Sequence, residues 1–144
     1  MANQYCGALG KNANCQVATT VHLASDTASC PVNWRLFVPA RWDPASDKAM
    51  VDVQARRCAA AIPDDQRHRP SWQLALQAID EMLAWALPAP KVITADSAFG
   101  DNAEFRFALS GRGLPTRCRS AATWSCCPNT PDAPATARHP PVLP

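Results

Sequence analysis

From Asn14 to Leu23 apolar and polar side chains alternate, with Cys15, Val17, Thr19 and Val21 on one face and Gln16, Ala18, Thr20 and His22 on the other. That period of two predicts a half-buried strand. Ser25-Asp26-Thr27 reads as a turn, and Cys30 to Val38 returns as a second strand with Trp34, Leu36 and Val38 on one side, so an antiparallel hairpin is expected. Pro39 to Pro44 breaks the pattern, and Ala45 to Ala61 is a charged, moderately helical and peripheral stretch closing before Pro63. Ser71 to Leu87 carries the clearest helical period, since Trp72, Leu76, Ile79, Leu83 and Ala86 recur at three- and four-residue spacing before Pro88 ends it.

The next segment, Lys91-Val-Ile-Thr-Ala-Asp96-Ser-Ala-Phe-Gly-Asp101, contains a short β-branched run between Pro90 and Gly100, which reads as a buried strand ending on an acid. Asp101-Asn-Ala-Glu104 matches a capping box, so a helix is expected to start near Asn102 with Asp101 as its cap. Phe105, Ala108 and Leu109 then face a core, and Gly111 and Gly113 end the helix with left-handed positions. The element order argues for an α/β fold, a mixed sheet with flanking helices. In such sheets the ligand site lies beyond the carboxyl ends of the strands, where Asp96 falls. An ordinary turn aspartate and a carboxylate held for chemistry both suit Asp96, and local context does not separate them.

Composition divides the 144 residues. Residues 116–144 hold 6 of the 14 prolines and 3 of the 7 cysteines, while residues 1–115 hold 11 basic and 11 acidic side chains. The formal charge of +2 therefore resides in the last 29 residues, which are expected to form an irregular, disordered tail, and a neutral body gives no sign of a general polyanion-binding surface. No basic start followed by an apolar stretch opens the chain, and no run is long enough to span a bilayer. With seven cysteines, an odd number, and no Cys-x-x-Cys pair, free thiols are expected, with Cys15 as a small buried hydrophobe. His22 reads as a strand-face residue. Arg56-Arg57 and Arg67-His68-Arg69 read as solvated before they read as phosphate contacts. Trp34, Trp72 and Trp85 fit core or strand-face positions better than base-stacking ones.

Several ordered motifs add a resemblance. Gln4-Tyr-Cys-Gly-Ala-Leu-Gly-Lys11, Asn14-Cys-Gln-Val17, Pro31-Val-Asn-Trp-Arg-Leu36, His68-Arg-Pro-Ser-Trp-Gln-Leu-Ala-Leu76 and Ala95-Asp96-x-x-x-Gly-Asp101 together resemble the IS701-type transposases of the DDE superfamily, over Ala2 to Pro115. The resemblance implies an RNase H-like core, incomplete here, spanning 1–115, with 116–144 a separate Pro- and Cys-rich tail. It implies cleavage and joining of transposon-end DNA with Mg²⁺, Asp96 serving as a catalytic metal ligand, the second acid of three. Three carboxylates suit a metal pair about 3.5–4 Å apart that stabilises the attacking and leaving oxygens of an in-line displacement.

The family's first Asp, on a strand before the Gln4 segment, and its downstream Glu have no matching motif in the sequence. An inactive fragment is therefore expected, with a DNA- or partner-binding regulator or a non-functional remnant as the alternatives. Expected partners are transposon-end DNA, a full-length transposase or a second copy, in the bacterial cytoplasm at the nucleoid. Where the family continues with Tyr and an apolar strand, this chain has Thr116-Arg-Cys-Arg119. High-GC codons chosen for Thr116 to Asp132, read with one restored base, give Tyr-Ala-Val-Pro-Val-Gly-Gly-Asp-Val-Val-Val-Leu-Pro-Glu-His-Ala-Arg. The expectation is a single-base deletion near codon 116, and an internal GTG start gives a similar account of Met1.

Overall fold

In a computed structural model of the chain, residues 2–85, 88 and 90–119 are described, together with the backbone of 124–127. The chain divides into two compact units, residues 1–89 and 90–144.

The first unit opens with two antiparallel hairpins. β1 (Ala2–Cys6) pairs with β2 (Lys11–Cys15), and β3 (Ala18–Ala24) pairs with β4 (Ser29–Leu36). The second is the hairpin expected from the alternation, and its turn closes as the sequence implies, with Ser25 N donating to Ala28 O at 2.8 Å and Ala28 N to Ser25 Oγ at 3.2 Å. The strand expected from Asn14 to Leu23 is split, Asn14 and Cys15 ending β2 and the hairpin strand starting at Ala18. Within β3, Thr19 is buried and Val21 half-buried while Ala18, Thr20 and His22 are exposed, so the predicted inner face holds there. The pairing shifts between Val21 and His22, opposite Pro31, where an imino acid that cannot donate to the ladder is tolerated.

The β4 expectation needs correction. Trp34 and Leu36 lie outward, 63% and 42% exposed, whereas Asn33 is buried. A polar partner explains the inversion. Asn33 Nδ2 donates to Ala78 O at 3.0 Å and to Glu81 Oε2 at 2.9 Å on the following helix, and Asn33 Oδ1 accepts from Arg35 Nη1 at 2.9 Å. An inward asparagine with satisfied hydrogen-bonding groups sets the register that hydrophobicity alone assigned the other way.

That helix, α2 (Ser71–Ala84), packs on β3 and β4. It buries Leu74, Ala75, Leu76, Ala78, Ile79 and Met82, a stripe at helical spacing. Trp72 and Leu83 are half-buried, Trp85 is exposed, and the expected residues 86 and 87 lie outside the described residues.

Between β4 and α2, a single 3₁₀ turn (Ala40–Trp42) and a helix shorter than expected, α1 (Val53–Ala59), are tied together by Arg57. Arg57 is 1% exposed and donates to Trp42 O at 2.9 Å, Pro63 O at 2.7 Å and Gln66 O at 2.8 Å. The solvated reading of Arg57 is thus overturned, because three loop carbonyls converge on its guanidinium, whose fork can serve several acceptors at once. Arg56 is exposed.

The second unit runs β5 (Ile93–Ala95), α3 (Ser97–Gly100), α4 (Ala103–Gly111), β6 (Thr116–Arg119) and β7 (Trp124–Cys127). β5 and β6 are parallel, with Ala95 opposite Cys118, and β6 and β7 are antiparallel. The expected single mixed sheet is replaced, among the described residues, by two two-stranded sheets in the first unit and this three-stranded mixed sheet in the second. β5 is half-buried, with Val92 at its entry 47% exposed, so its expected full burial does not hold. Phe105, Leu109, Leu114 and Cys118 form the buried centre.

At the end of α4, Gly113 has φ of 69°, its N–H donates to Ser110 O, and Leu114 N donates to Leu109 O, a Schellman closure at one of the two glycines expected to be left-handed. The other, Gly111, is the last helical residue and keeps a negative-φ backbone. β6 and β7 fall within the segment expected to be irregular, and residues 128–144 of the expected disordered tail lie outside the described residues.

Candidate carboxylate site at the end of a parallel strand

β5, the α3–α4 crossover and β6 form a parallel β-α-β unit, and Asp96 is the first residue past the carboxyl end of β5. It is exposed, and it serves as the N-cap of α3. Its Oδ1 accepts from Ala98 N at 3.1 Å, and its carbonyl accepts from Gly100 N at 2.7 Å and Phe99 N at 3.2 Å. The capping role expected of Asp101 is therefore carried elsewhere. Asn102 caps α4, its Oδ1 accepting from Phe105 N at 2.7 Å, while Asp101 closes the C-terminus of α3. A second short helix squeezed in before α4 moves the cap one residue on, and Asn caps as well as Asp.

Cap and ligand are compatible roles for one carboxylate, because the cap engages one oxygen. Asp96 Oδ2 makes no hydrogen bond among the described residues, and a carboxylate oxygen is a suitable donor for a hard divalent cation. The fit extends to that one ligand only. Among the described residues no three His, Cys, Asp or Glu side chains come together as a metal-binding group, so a metal pair is not accommodated by them and no reaction step is derived through it.

In the Arg67-His68-Arg69 loop both arginines are exposed as expected, but Arg67 and His68 are also tied to a buried carboxylate. Asp43, 7% exposed, accepts from Ala45 N at 3.0 Å, His68 N at 2.9 Å and Arg67 Nη1 at 2.9 Å. The backbone amides of Ala45 and His68, and then Arg67, hold its carboxyl below the usual range against the opposing effect of burial. His68 Nδ1 donates to Val38 O at 2.7 Å, and its ring meets Phe37 edge-on at 5.5 Å. Arg67-His68 is thus a clasp that fastens the loop before α2. Sequence reasoning missed it because Asp43 lies 24 residues before Arg67.

Glu81 is likewise held below its usual value, by the Asn33 amide first and by Arg35 second. His22 pairs with Ser29 Oγ at 3.2 Å on the exposed hairpin, in line with a strand-face role. Cys15, half-buried, is pushed up by desolvation first and by Cys6 second. Cys6, Cys15, Cys30, Cys58 and Cys118 are free thiols.

A parallel strand ending in a carboxylate, followed by a capped helical crossover, defines an α/β domain with its candidate site at the strand's carboxyl edge. The chain matches the family model described as DDE superfamily endonuclease over residues 1–143, and it belongs to that family. The family's activity is that of a transposase-like nuclease acting on DNA with divalent metal ions. No curated protein and no solved structure matches the chain. No helix among the described residues is long and apolar enough to cross a membrane.

Proposed function

We propose that the chain is a part of an IS701-type transposase with an RNase H-like core, acting on transposon-end DNA at the bacterial nucleoid, and that Asp96 is one of its metal-binding carboxylates. The observation that carries the reading is the position of Asp96 at the carboxyl end of a strand in a parallel β-α-β unit, with one oxygen left over from the helix cap. Mg²⁺ is the ion that suits an all-oxygen donor set. The residues shown to converge supply one such ligand, so we read the chain as catalytically incomplete by itself, its remaining carboxylates coming from elsewhere. The composition of residues 116–144 supports a shifted reading frame there. Reading the flanking DNA in all three frames tests this: an upstream Asp-containing strand and a downstream Glu-containing helix are expected.

The activity test uses the purified chain, Mg²⁺ and labelled transposon-end duplex. Binding that weakens steeply with salt and yields no nicked or joined product is expected. Strand transfer abolished by Asp96→Asn would overturn the incompleteness and keep the ligand role, whereas strand transfer indifferent to Asp96→Asn would overturn the ligand role. A partner-binding regulator is a second reading, favoured by the two-stranded sheets of the first unit, whose strands keep open hydrogen-bonding edges suited to pairing with another chain. Co-elution with a full-length transposase or a second copy supports it, and a monomer that captures neither counts against it.

A further inference from the structure

We propose that the β1–β2 hairpin is a two-stranded ribbon that reads base edges in the major groove of duplex DNA through Asn3, Asn12 and Asn14; this rests on the reading of the chain as part of a DNA-acting transposase. In its register Asn3 stands opposite Asn14 and Tyr5 opposite Asn12. All four are exposed, so one face of the ribbon consists of three carboxamides and a phenol. Asparagine is depleted in strands, because its short amide competes for backbone groups and packs poorly on a pleated surface. Folding gives no reason for three of them on neighbouring positions of one face.

The opposite face shows what the hairpin spends on folding. Ala2 is buried, and Gln4, Cys6, Ala13 and Cys15 are half-buried. Gln4 gives its amide to the fold, Nε2 donating to Cys15 O at 2.9 Å. The side chains of Asn3, Asn12 and Asn14 make no hydrogen bond to other described residues, which leaves their amides for a ligand.

A carboxamide offers a donor and an acceptor side by side, and adenine presents the matching N7 acceptor and N6 donor in the major groove. Phosphates and the minor-groove edges of A·T pairs present acceptors alone and leave the amide oxygen unused. With no third strand among the described residues, the hairpin has the narrow form that a groove about 12 Å wide admits. Its two outward pairs lie two residues apart, about 7 Å along the strand, close to two base steps of about 3.4 Å. Charge agrees with this partner, since no acidic residue precedes Asp26 and Lys11 is exposed at the turn end of β2, where it can meet a phosphate. A protein partner suits the face less well, because three amides around Tyr5 lack the apolar centre that such interfaces bury.

The test mixes the full chain with a labelled duplex library of randomised core, and sequences what is retained. An enriched site containing adenines is expected. Replacing those adenines with 7-deazaadenine, which removes the N7 acceptor and keeps base pairing, should weaken binding about ten-fold. Asn3→Ala and Asn14→Ala should each bind that site about ten-fold more weakly while keeping their affinity for unselected duplex. Lys11→Gln should weaken binding to all sequences alike and flatten the salt dependence. If the chain binds duplex but enriches no sequence, if 7-deazaadenine changes nothing, or if the asparagine variants enrich the same site as the wild type, the ribbon's reading role falls and DNA binding itself stands. A chain that binds no duplex overturns both. The 7-deazaadenine comparison uses the unaltered protein, so it decides the matter even where a substitution unfolds the hairpin.

Discussion

Two aspartates set the two units of the chain apart. Asp43, in the first unit, has both oxygens engaged: Oδ1 by Ala45 N and Arg67, Oδ2 by His68 N. Asp96, in the second, engages one oxygen with Ala98 N and is exposed. Another charged group of the first unit, Arg57, is spent on three carbonyls. A charged group whose bonding capacity is filled by its own chain is fold. One that caps a helix with half of a carboxylate at a strand's carboxyl end keeps capacity for a ligand.

The largest effect is expected at Arg57, the most completely buried of these charged groups. Arg57→Met should destabilise the chain by about 3 kcal/mol, since three carbonyls lose a charged donor together. Urea unfolding followed by the fluorescence of Trp42 and Trp72 measures it. A loss below that of a single helix cap breaks the claim that polar clasps hold the first unit.

Asp43→Asn comes next, at about 1–2 kcal/mol near neutral pH, because the amide keeps an acceptor but gives up the charge and one of the bonds. Its pH dependence has a definite sign. The folded pKa of Asp43 lies below the unfolded one, so its contribution is fully present above about 3.9 and is lost as pH falls through the folded value. The gap between wild type and Asp43→Asn should therefore be flat from pH 7 to about 5 and close below about 4. A gap that widens on acidification contradicts the assignment.

How much of this was legible in the sequence follows from the range of the forces involved. The β3–β4 hairpin, α2, β5 and the end of α4 depend on local periodicity, glycine and proline, and they appear where the pattern puts them. The β1–β2 hairpin was silent because Ala2-Asn-Gln-Tyr-Cys6 and Lys11-Asn-Ala-Asn-Cys15 carry few large apolar residues, and only the glycines of its turn, Gly7 and Gly10, the latter at φ of 63°, mark it. The inward turn of Asn33 depends on a partner 45 residues away, beyond any local window, and the burial of Arg57 on backbone carbonyls 6, 9 and 15 residues away, whose convergence is set by loop conformation and leaves no periodic pattern. At the candidate site, Asp96 was legible as a strand end, but its cap was assigned to Asp101 because the capping-box pattern scores position and not the intervening turn. Gly100, buried where an added Cβ would overlap the Arg119 carbonyl of β6, gave one signal: a glycine where a short helix needs none.

The cap reassignment supplies a smaller effect. Asn102→Ala should cost about 1 kcal/mol, and Asn102→Asp close to nothing, since either side chain accepts from the N3 amide. Thermal unfolding resolves the two. Equal losses would mean that Phe105 N is satisfied some other way and that the start of α4 is set by something besides its cap.

The smallest expected effect on stability is at Asp96, and it is the most discriminating. Asn caps a helix about as well as Asp, so Asp96→Asn should leave unfolding within about 0.5 kcal/mol of wild type, while Asp96→Ala should lose about 1 kcal/mol. Charge, by contrast, is what a divalent ion reads, and Asn and Ala lack it equally. The two substitutions should therefore separate on a melting curve and coincide in a Mg²⁺ titration. Were Asp96 only a cap, Asp96→Asn would match wild type in both. Were it held in place mainly by its charge, Asn and Ala would fall together in both. Only a carboxylate with one oxygen given to the helix and the other kept for an ion gives the crossed pattern, which makes the unused oxygen at the end of β5 the point on which the contrast between the two units turns.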